Sequence, residues 1–306
     1  MPSEIAAAMP KQESASISAA FSPPFTVLAP AHQSAPFVFC SPHSGRIYPR
    51  RFLDQSRLSP LSLRKSEDSF VDELFAGVAS LGAPLLAARF PRAYLDVNRE
   101  PYELDPELFE ETLPDFANSQ SVRVVGGLGT IARIVADGEE IYHNRLTLAD
   151  AMARVENLYR PFHEALGQLI DQTRRRFGYA ILIDCHSMPS TSLTQTGGPR
   201  PDFVLGDRFG ASCDQRLTRL LKESVAGHGY DVQLNRPYAG GFITEHYGRP
   251  RQGVHALQIE INRGLYLDEA AIEPLAGFSG LKADLTRVAE RMFADCPGLL
   301  ERRAAE

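Results

Sequence analysis

A chain of 306 residues with 43% hydrophobic content, 23 glycines, 22 prolines and no tryptophan can bury the core of one large domain or two small ones. That composition excludes collagen, coiled coil and wholesale disorder. Thirty-two Lys and Arg against 38 Asp and Glu leave a formal charge of -6, without the basic footprint that nucleic acid or an anionic lipid surface requires. No apolar run approaches the ~18 residues of a membrane span. Cys40, Cys185, Cys213 and Cys296 are far apart, which is the usage of reduced thiols in a cytoplasmic chain.

Residues 1–33 are rich in Ala, Ser and Pro and show no periodicity, so they are expected to form a loosely packed arm, dispensable for chemistry, ahead of a folded domain over 34–306. A signal peptide is the rival reading, but Glu4 stands where a basic region belongs and no compact apolar stretch follows. From residue 36, short apolar runs alternate with amphipathic stretches, the pattern of an α/β domain whose mixed, mainly parallel sheet is flanked by helices in three layers. PFVFCS predicts a buried strand over 36–41. Phe70, Leu74, Phe75 and Val78 give helical spacing to 67–81. RAYLDVNR predicts a strand over 92–97 with a polar end. Met152, Val155, Leu158, Tyr159, Phe162, Leu166, Leu169 and Ile170 predict a long amphipathic helix over 150–177, with Asp150 as its N-cap and Pro161 as a kink. YAILIDCHS predicts a strand over 179–185 buried on both faces. A helix carrying Leu217, Leu220, Leu221 and Val225 ends near Gly227, and DVQLNRP follows as a short strand. HALQIEINR alternates, with Leu257, Ile259 and Ile261 on one face and Gln258, Glu260 and Asn262 on the other. Leu281, Leu285, Val288 and Met292 mark a last helix.

In open α/β sheets, ligands sit beyond the carboxyl ends of the strands, so polar residues that close apolar runs are the first candidates for chemistry. Four such ends stand out: His43 in SPHSG, Asn98 and Arg99 in DVNR, His186 in DCHS and Glu260 in EINR. Two imidazoles and one carboxylate oxygen supply three ligands of a tetrahedral zinc ion and leave the fourth position for water. Such an ion lowers the pKa of that water to ~7. A base and a counter-charge are then needed, and Glu260 and Arg99 are the natural candidates. Plain structural roles exist for each: His43 as a turn residue, His186 as a core imidazole held by Asp184, and Arg99 as a partner of Asp96 or Glu100. The GGLGT segment lacks the Lys-Ser/Thr ending of a phosphate-binding loop, so it reads as a loop shaping a pocket. The loops over 188–202 and 237–252 are expected to set side-chain preference.

SPHSG, DVNR, DCHS and EINR resemble, in that order, the metal- and substrate-binding strand ends of zinc carboxypeptidases. With SEDSFVDELF, PRAYLDVNRE, GGLGTIAR, GGFITEHYGRP and HALQIEINRGLYLDE added, the chain is similar to the N-formylglutamate amidohydrolase family over residues 36–270. The resemblance implies His43 and His186 as zinc ligands and Glu260 as the general base. It implies Arg99, helped by Asn98, as the partner of the substrate α-carboxylate, and Arg133 as a second anion clamp or an electrophile at the carbonyl oxygen. Arg123, Arg145 and Arg154 lie near enough in sequence to take the place of Arg133. His246 and Tyr247 would close over the substrate and serve its side-chain carboxylate. Carboxypeptidases carry a glutamate ligand three residues after the first histidine, where this chain has Arg46. The third ligand is therefore expected at Asp68, with Glu67 and Asp72 as alternatives. The implied activity is zinc-dependent hydrolysis of an N-formyl or other N-acyl amino acid, most simply N-formyl-L-glutamate, an anionic small molecule. A metallo-carboxypeptidase or a deacylase of another N-acyl amino acid is the alternative, and a metal-binding protein without turnover is the non-enzymatic one.

Overall fold

Nine consecutive buried residues, Ala180–Met188, form the middle strand β4 of a seven-stranded sheet in the computed structural model, which describes residues 17, 19–135, 138–191 and 201–300. The other strands are β1 (Phe25–Leu28), β2 (Phe37–Ser41), β3 (Leu85–Ala88), β5 (Phe203–Gly206), β6 (Val232–Leu234) and β7 (Val254–Asn262), in the spatial order β1-β3-β2-β4-β7-β5-β6. β2, β4 and β7 run parallel, β5 joins β7 antiparallel, and β6 pairs parallel with β5. β4 and β7 are buried along their whole length, as near-continuous apolar runs in a covered parallel sheet should be.

Because side chains alternate across a strand, β4 and β7 each present an apolar face and a polar one. Ile181, Ile183 and Cys185 of β4 and Leu257, Ile259 and Ile261 of β7 belong to one core cluster. Helix α4 (Gln215–Ala226) adds Leu217, Leu220, Leu221 and Val225 to it, and helix α6 (Phe278–Leu300) adds Leu281, Leu285, Val288 and Met292. Each such side chain contributes about 1.5–3 kcal/mol by leaving water, which fixes the register and turns Asp184, His186, Gln258 and Glu260 to the opposite face. Helix α4 starts at the N-cap Asp214, which accepts from Arg216 N, and stops at Gly227.

Three expected elements differ. The helix over 67–81 shrinks to α1 (Val71–Leu74) followed by a tight turn at Ala76–Ala79. Glu67 accepts hydrogen bonds from Tyr48, Arg64 and Ser69, which pins 67–69 as a turn, and Phe70 follows in the left-handed region at φ 63°. The segment 92–97 is no strand: Tyr94 N and Leu95 N both reach back to Pro91 O, and Asp96 N bonds Thr130 O. Residues 93–99 are buried throughout, and a buried turn that carries Leu95 and Val97 two apart imitates strand periodicity. The helix over 150–177 exists in two parts, α2 (Leu148–Arg154) and α3 (Arg160–Phe177), joined by one π-helical turn at Val155–Tyr159. Pro161 has no N–H for the ladder, and the wide turn just ahead of it absorbs that gap, with Arg160 N reaching Val155 O. Thr147, not Asp150, caps α2 by accepting from Asp150 N, while the Asp150 carboxylate pairs with the fully buried Arg154.

The chain divides into two compact units, one of Met1–Thr26, Pro42–Ser69 and Ala87–Leu166, the other of Val27–Ser41, Phe70–Leu86 and Gly167–Glu306. Of the arm expected over 1–33, residues 1–16 and 18 lie outside the described residues. The rest is not loose: Ile17 and Phe21 are buried, and β1 joins the sheet. Phe21 packs edge-on against Phe90, with ring centroids 6.0 Å apart, and against Tyr94 at 5.8 Å. Phe21→Ala is therefore expected to cost about 3–5 kcal/mol, read from the urea midpoint. An unchanged midpoint would show that the start of the chain adds nothing to the fold. No helix among the described residues is long and apolar enough to cross a membrane. All four cysteines are free and buried.

Candidate functional site

His43 stands two residues beyond the end of β2, in a turn that admits no side chain at its next glycine, since a Cβ on Gly45 would lie 2.0 Å from Phe90 O. Its backbone carbonyl accepts from Asp68 N at 3.0 Å, and Ser44 Oγ donates to Asp68 O at 3.1 Å. These two bonds carry Asp68 to the imidazole, where Oδ2 lies 3.3 Å from Nδ1. On the other side of the ring, Nε2 lies 2.7 Å from Asp96 Oδ1. His43, Asp68 and Asp96 are all buried.

Asp96 is held by more than His43. It accepts from Asn98 N at 2.8 Å and from Arg92 Nε at 3.0 Å, and Arg99 Nη2 lies 3.4 Å from Oδ2. Burial alone would raise its carboxyl, but Arg99, His43 and Arg92 outweigh that and hold it well below the usual carboxylate range. A metal held on Nδ1 would leave the Nε2 proton to the ionised Asp96, which would then orient the ring. Nδ1 and Asp68 Oδ2 are 3.3 Å apart. The separation matches the roughly 3.4 Å between two ligand atoms of a tetrahedral site with bonds of about 2.1 Å.

On the polar face of the sheet, His186 of β4 is in register with Glu260 of β7, and Asp184 with Gln258. His186 Nε2 lies 2.9 Å from Asp184 Oδ1. Gln258 Nε2 donates to Glu260 Oε1 at 2.9 Å, and Gln258 Oε1 accepts from Gly241 N at 2.8 Å. Helix α5 (Phe242–Tyr247) follows Gly241 and covers this face, with Thr244 Oγ1 donating to Asp184 Oδ2 at 3.2 Å. Tyr247 on the same helix has its hydroxyl pushed up by burial and then by Cys40. His43, Asp68 and His186 each offer one ligand atom, and these atoms all lie within 4.8 Å of one another. Two imidazoles and a carboxylate, all buried and backed by further carboxylates, are a donor set that fits a divalent metal.

The remaining candidates divide. Glu67 is committed to Tyr48, Arg64 and Ser69, and neither it nor Asp72 enters the cluster, so Asp68 is the carboxylate beside the histidines. Asn98 is buried and its carbonyl accepts from Arg99 Nη1 at 2.8 Å. Arg99 also donates through Nε to Leu128 O at 2.8 Å. Burial draws its guanidinium down to about 10 against the pull of Asp96, so it stays charged at neutral pH. Arg133 lies among carboxylates: Nε donates to Asp105 at 2.7 Å, and Glu107 and Glu140 stand at 3.8 and 3.7 Å. His246 on α5 stacks on Phe242 at 5.0 Å, and burial, then Arg249, lowers its pKa. Of the loop expected to set side-chain preference, 192–200 lie outside the described residues. Asp96 and Gln258 are the residues that motif reading passed over. Asp96 sits inside DVNR, and Gln258 shares the alternate face of Glu260, so both had a signal.

Residues 35–267 match the model of the family described as N-formylglutamate amidohydrolase. Two N-formylglutamate deformylases are each 30% identical over 240 residues: that of Pseudomonas aeruginosa, covering 77% of this chain and 84% of its own, and that of Pseudomonas putida, covering 76% and 82%. The crystal structure of N-formylglutamate amidohydrolase from Ralstonia eutropha JMP134 is 37% identical with a TM-score of 0.84, covering 89% of this chain and 97% of its own. With a family match over more than two thirds of its length and relatives of this identity and coverage, the chain belongs to the N-formylglutamate amidohydrolase family.

Proposed function

We propose that this hydrolase cleaves the formyl amide of N-formyl-L-glutamate to formate and glutamate, with one zinc ion held by His43, Asp68 and His186. The observation that carries the reading is the buried His-Asp-His cluster, its ligand atoms within 4.8 Å of one another, in a chain whose relatives are N-formylglutamate deformylases. When bound, zinc supplies Lewis acidity, which polarises a carbonyl and lowers the pKa of water.

The protein's own residues do the rest. Asp96 and Asp184 orient the two imidazoles from behind. Glu260, in register with His186, takes a proton from the attacking water as the new carbon–oxygen bond forms and then gives it to the amide nitrogen, so that the carbon–nitrogen bond breaks and the amine departs. Gln258 orients the Glu260 carboxylate through its 2.9 Å hydrogen bond. Arg99 receives the α-carboxylate, with Asn98 beside it. Its contacts with Leu128, Asn98 and Asp96 account for three of its five N–H groups, and two suffice for a bidentate carboxylate. Arg133 has its charge met by three carboxylates and is the weaker candidate for this work.

The test is direct. Purified protein is expected to release equimolar formate and glutamate from N-formylglutamate and to contain about one divalent metal per chain. Cleavage of peptides in its place would favour the carboxypeptidase reading. Preference for N-acetyl or longer acyl amino acids would favour another deacylase. Stoichiometric metal without turnover of any of these would leave a binding protein.

A further inference from the structure

The substrate proposed above carries two carboxylates, so Arg99 meets half of its charge and a second cation is needed. Sequence offers Arg133, Arg123, Arg145 and Arg154, and the structure separates them. Arg154 is fully buried against Asp150, Tyr94 and Tyr142. Arg133 is held by Asp105, Glu107 and Glu140. Arg145 Nη1 donates to Phe109 O. Arg123 is exposed, as Arg145 is, and what sets it apart is its tie to Arg99.

Its placement is also particular. Arg123 lies on the short helical turn Val122–Val125, whose N-cap Ser121 accepts from Val124 N. Arg123 O accepts from Leu128 N at 2.7 Å, and Leu128 O in turn accepts from Arg99 Nε at 2.8 Å. Two hydrogen bonds therefore tie the Arg123 backbone to the Arg99 guanidinium. Gly129 fixes the distance, because a Cβ there would lie 2.3 Å from Glu103 O, and Thr130 N bonds that same carbonyl at 2.8 Å. The Arg123 charge is felt at both Arg99 and Glu103. Val122, Val125 and Leu128 are exposed beside it, the first two at 89% and 71%. Large apolar side chains grouped in the open mark a surface that something covers. An exposed guanidinium whose backbone is tied to Arg99 through Leu128 suits a carboxylate borne on a short methylene stem.

We infer that Arg123 is the specificity-determining residue that binds the side-chain carboxylate of the amino acid whose α-carboxylate Arg99 holds. The inference rests on the proposed function for the identity of that amino acid. It assigns the preference for an acidic side chain to the 121–130 segment, and it leaves Arg133 a structural partner of Asp105.

Arg123→Gln tests it, with Arg145→Gln as the control for loss of one surface charge. N-formylglutamate and N-formylglutamine are the same size and differ by the side-chain charge. Loss of one charge-assisted contact is expected to raise KM for N-formylglutamate by roughly 10- to 100-fold with kcat little changed. KM for N-formylglutamine should stay where it was, so that the preference collapses. An Arg123→Gln enzyme that keeps the parent preference, or Arg145→Gln losing it equally, would overturn the assignment. Equilibrium binding of glutarate, a dianion with nothing to hydrolyse, is read in parallel. If the parent turns over neither formyl amino acid, the proposed function fails, and equal glutarate affinity in parent and Arg123→Gln would then reject the role of Arg123 by itself.

Discussion

Glu260→Gln is expected to fold like the parent and lose roughly 10²- to 10⁴-fold in kcat, the range for removing a general acid–base group. The carboxylate lies on a strand buried along its length, and it is in register with His186. Glutamine keeps the shape, and its amide oxygen still accepts from Gln258 Nε2, which now bonds Glu260 Oε1 at 2.9 Å. The substitution therefore removes a proton acceptor without opening a cavity, and the thermal midpoint should hardly move. Metal content should also be unchanged, since Glu260 is not among the three proposed ligands. The pattern expected is an intact fold, intact metal, unchanged KM and a collapsed kcat. A variant retaining kcat within about threefold would remove Glu260 from the proton transfers, because general base catalysis contributes at least ~10².

The elements legible in sequence are those whose burial is uniform or strictly alternate. β4 could be read from ILID and β7 from the alternation of Leu257, Ile259 and Ile261, and with them came the face on which His186 and Glu260 stand. Strand periodicity failed at 92–97 because a turn that buries Leu95 and Val97 writes the same pattern as a strand. Helical spacing failed over 67–81 for a related reason. Phe70, Leu74, Phe75 and Val78 pack against the core or lie within it, but Glu67 is pulled out of line by three side-chain donors, and Phe70 adopts a left-handed backbone. The third ligand is expected at Asp68, with Glu67 and Asp72 as alternatives that sequence could not eliminate. What separates Asp68 from Glu67 and Asp72 is the bond from its own N–H to His43 O, and a tertiary hydrogen bond leaves no periodic trace. The roles of the arginines were likewise decided by partners distant in sequence, as with Arg133 and Asp105, 28 residues apart.

His186→Ala and His43→Ala are each expected to reduce bound metal from about one per chain to a small fraction and to abolish measurable turnover. A site with two imidazoles and one carboxylate has no protein ligand to spare, because tetrahedral catalytic sites use three and leave the fourth position open. Each imidazole is also seated on a carboxylate, His43 on Asp96 at 2.7 Å and His186 on Asp184 at 2.9 Å. Truncation thus leaves a buried acidic group short of a partner at a cost of about 1–3 kcal/mol, so folding must be checked by the denaturant midpoint before inactivity is read as loss of metal. Asp96→Asn supplies the graded case. It keeps all ligands and the size of the side chain, but it removes the charge that would orient the His43 ring. A 10- to 100-fold loss of metal affinity is the ordinary scale for such a supporting carboxylate. Titration with a chelator of known affinity should therefore order the proteins as parent, then Asp96→Asn, then the two histidine variants, with turnover following metal occupancy. Full metal content and activity in folded His186→Ala would show that the cluster of His43, Asp68 and His186 is not the catalytic centre. Equal metal affinity in Asp96→Asn and the parent would show that His43 does not need the carboxylate behind it to act as a ligand.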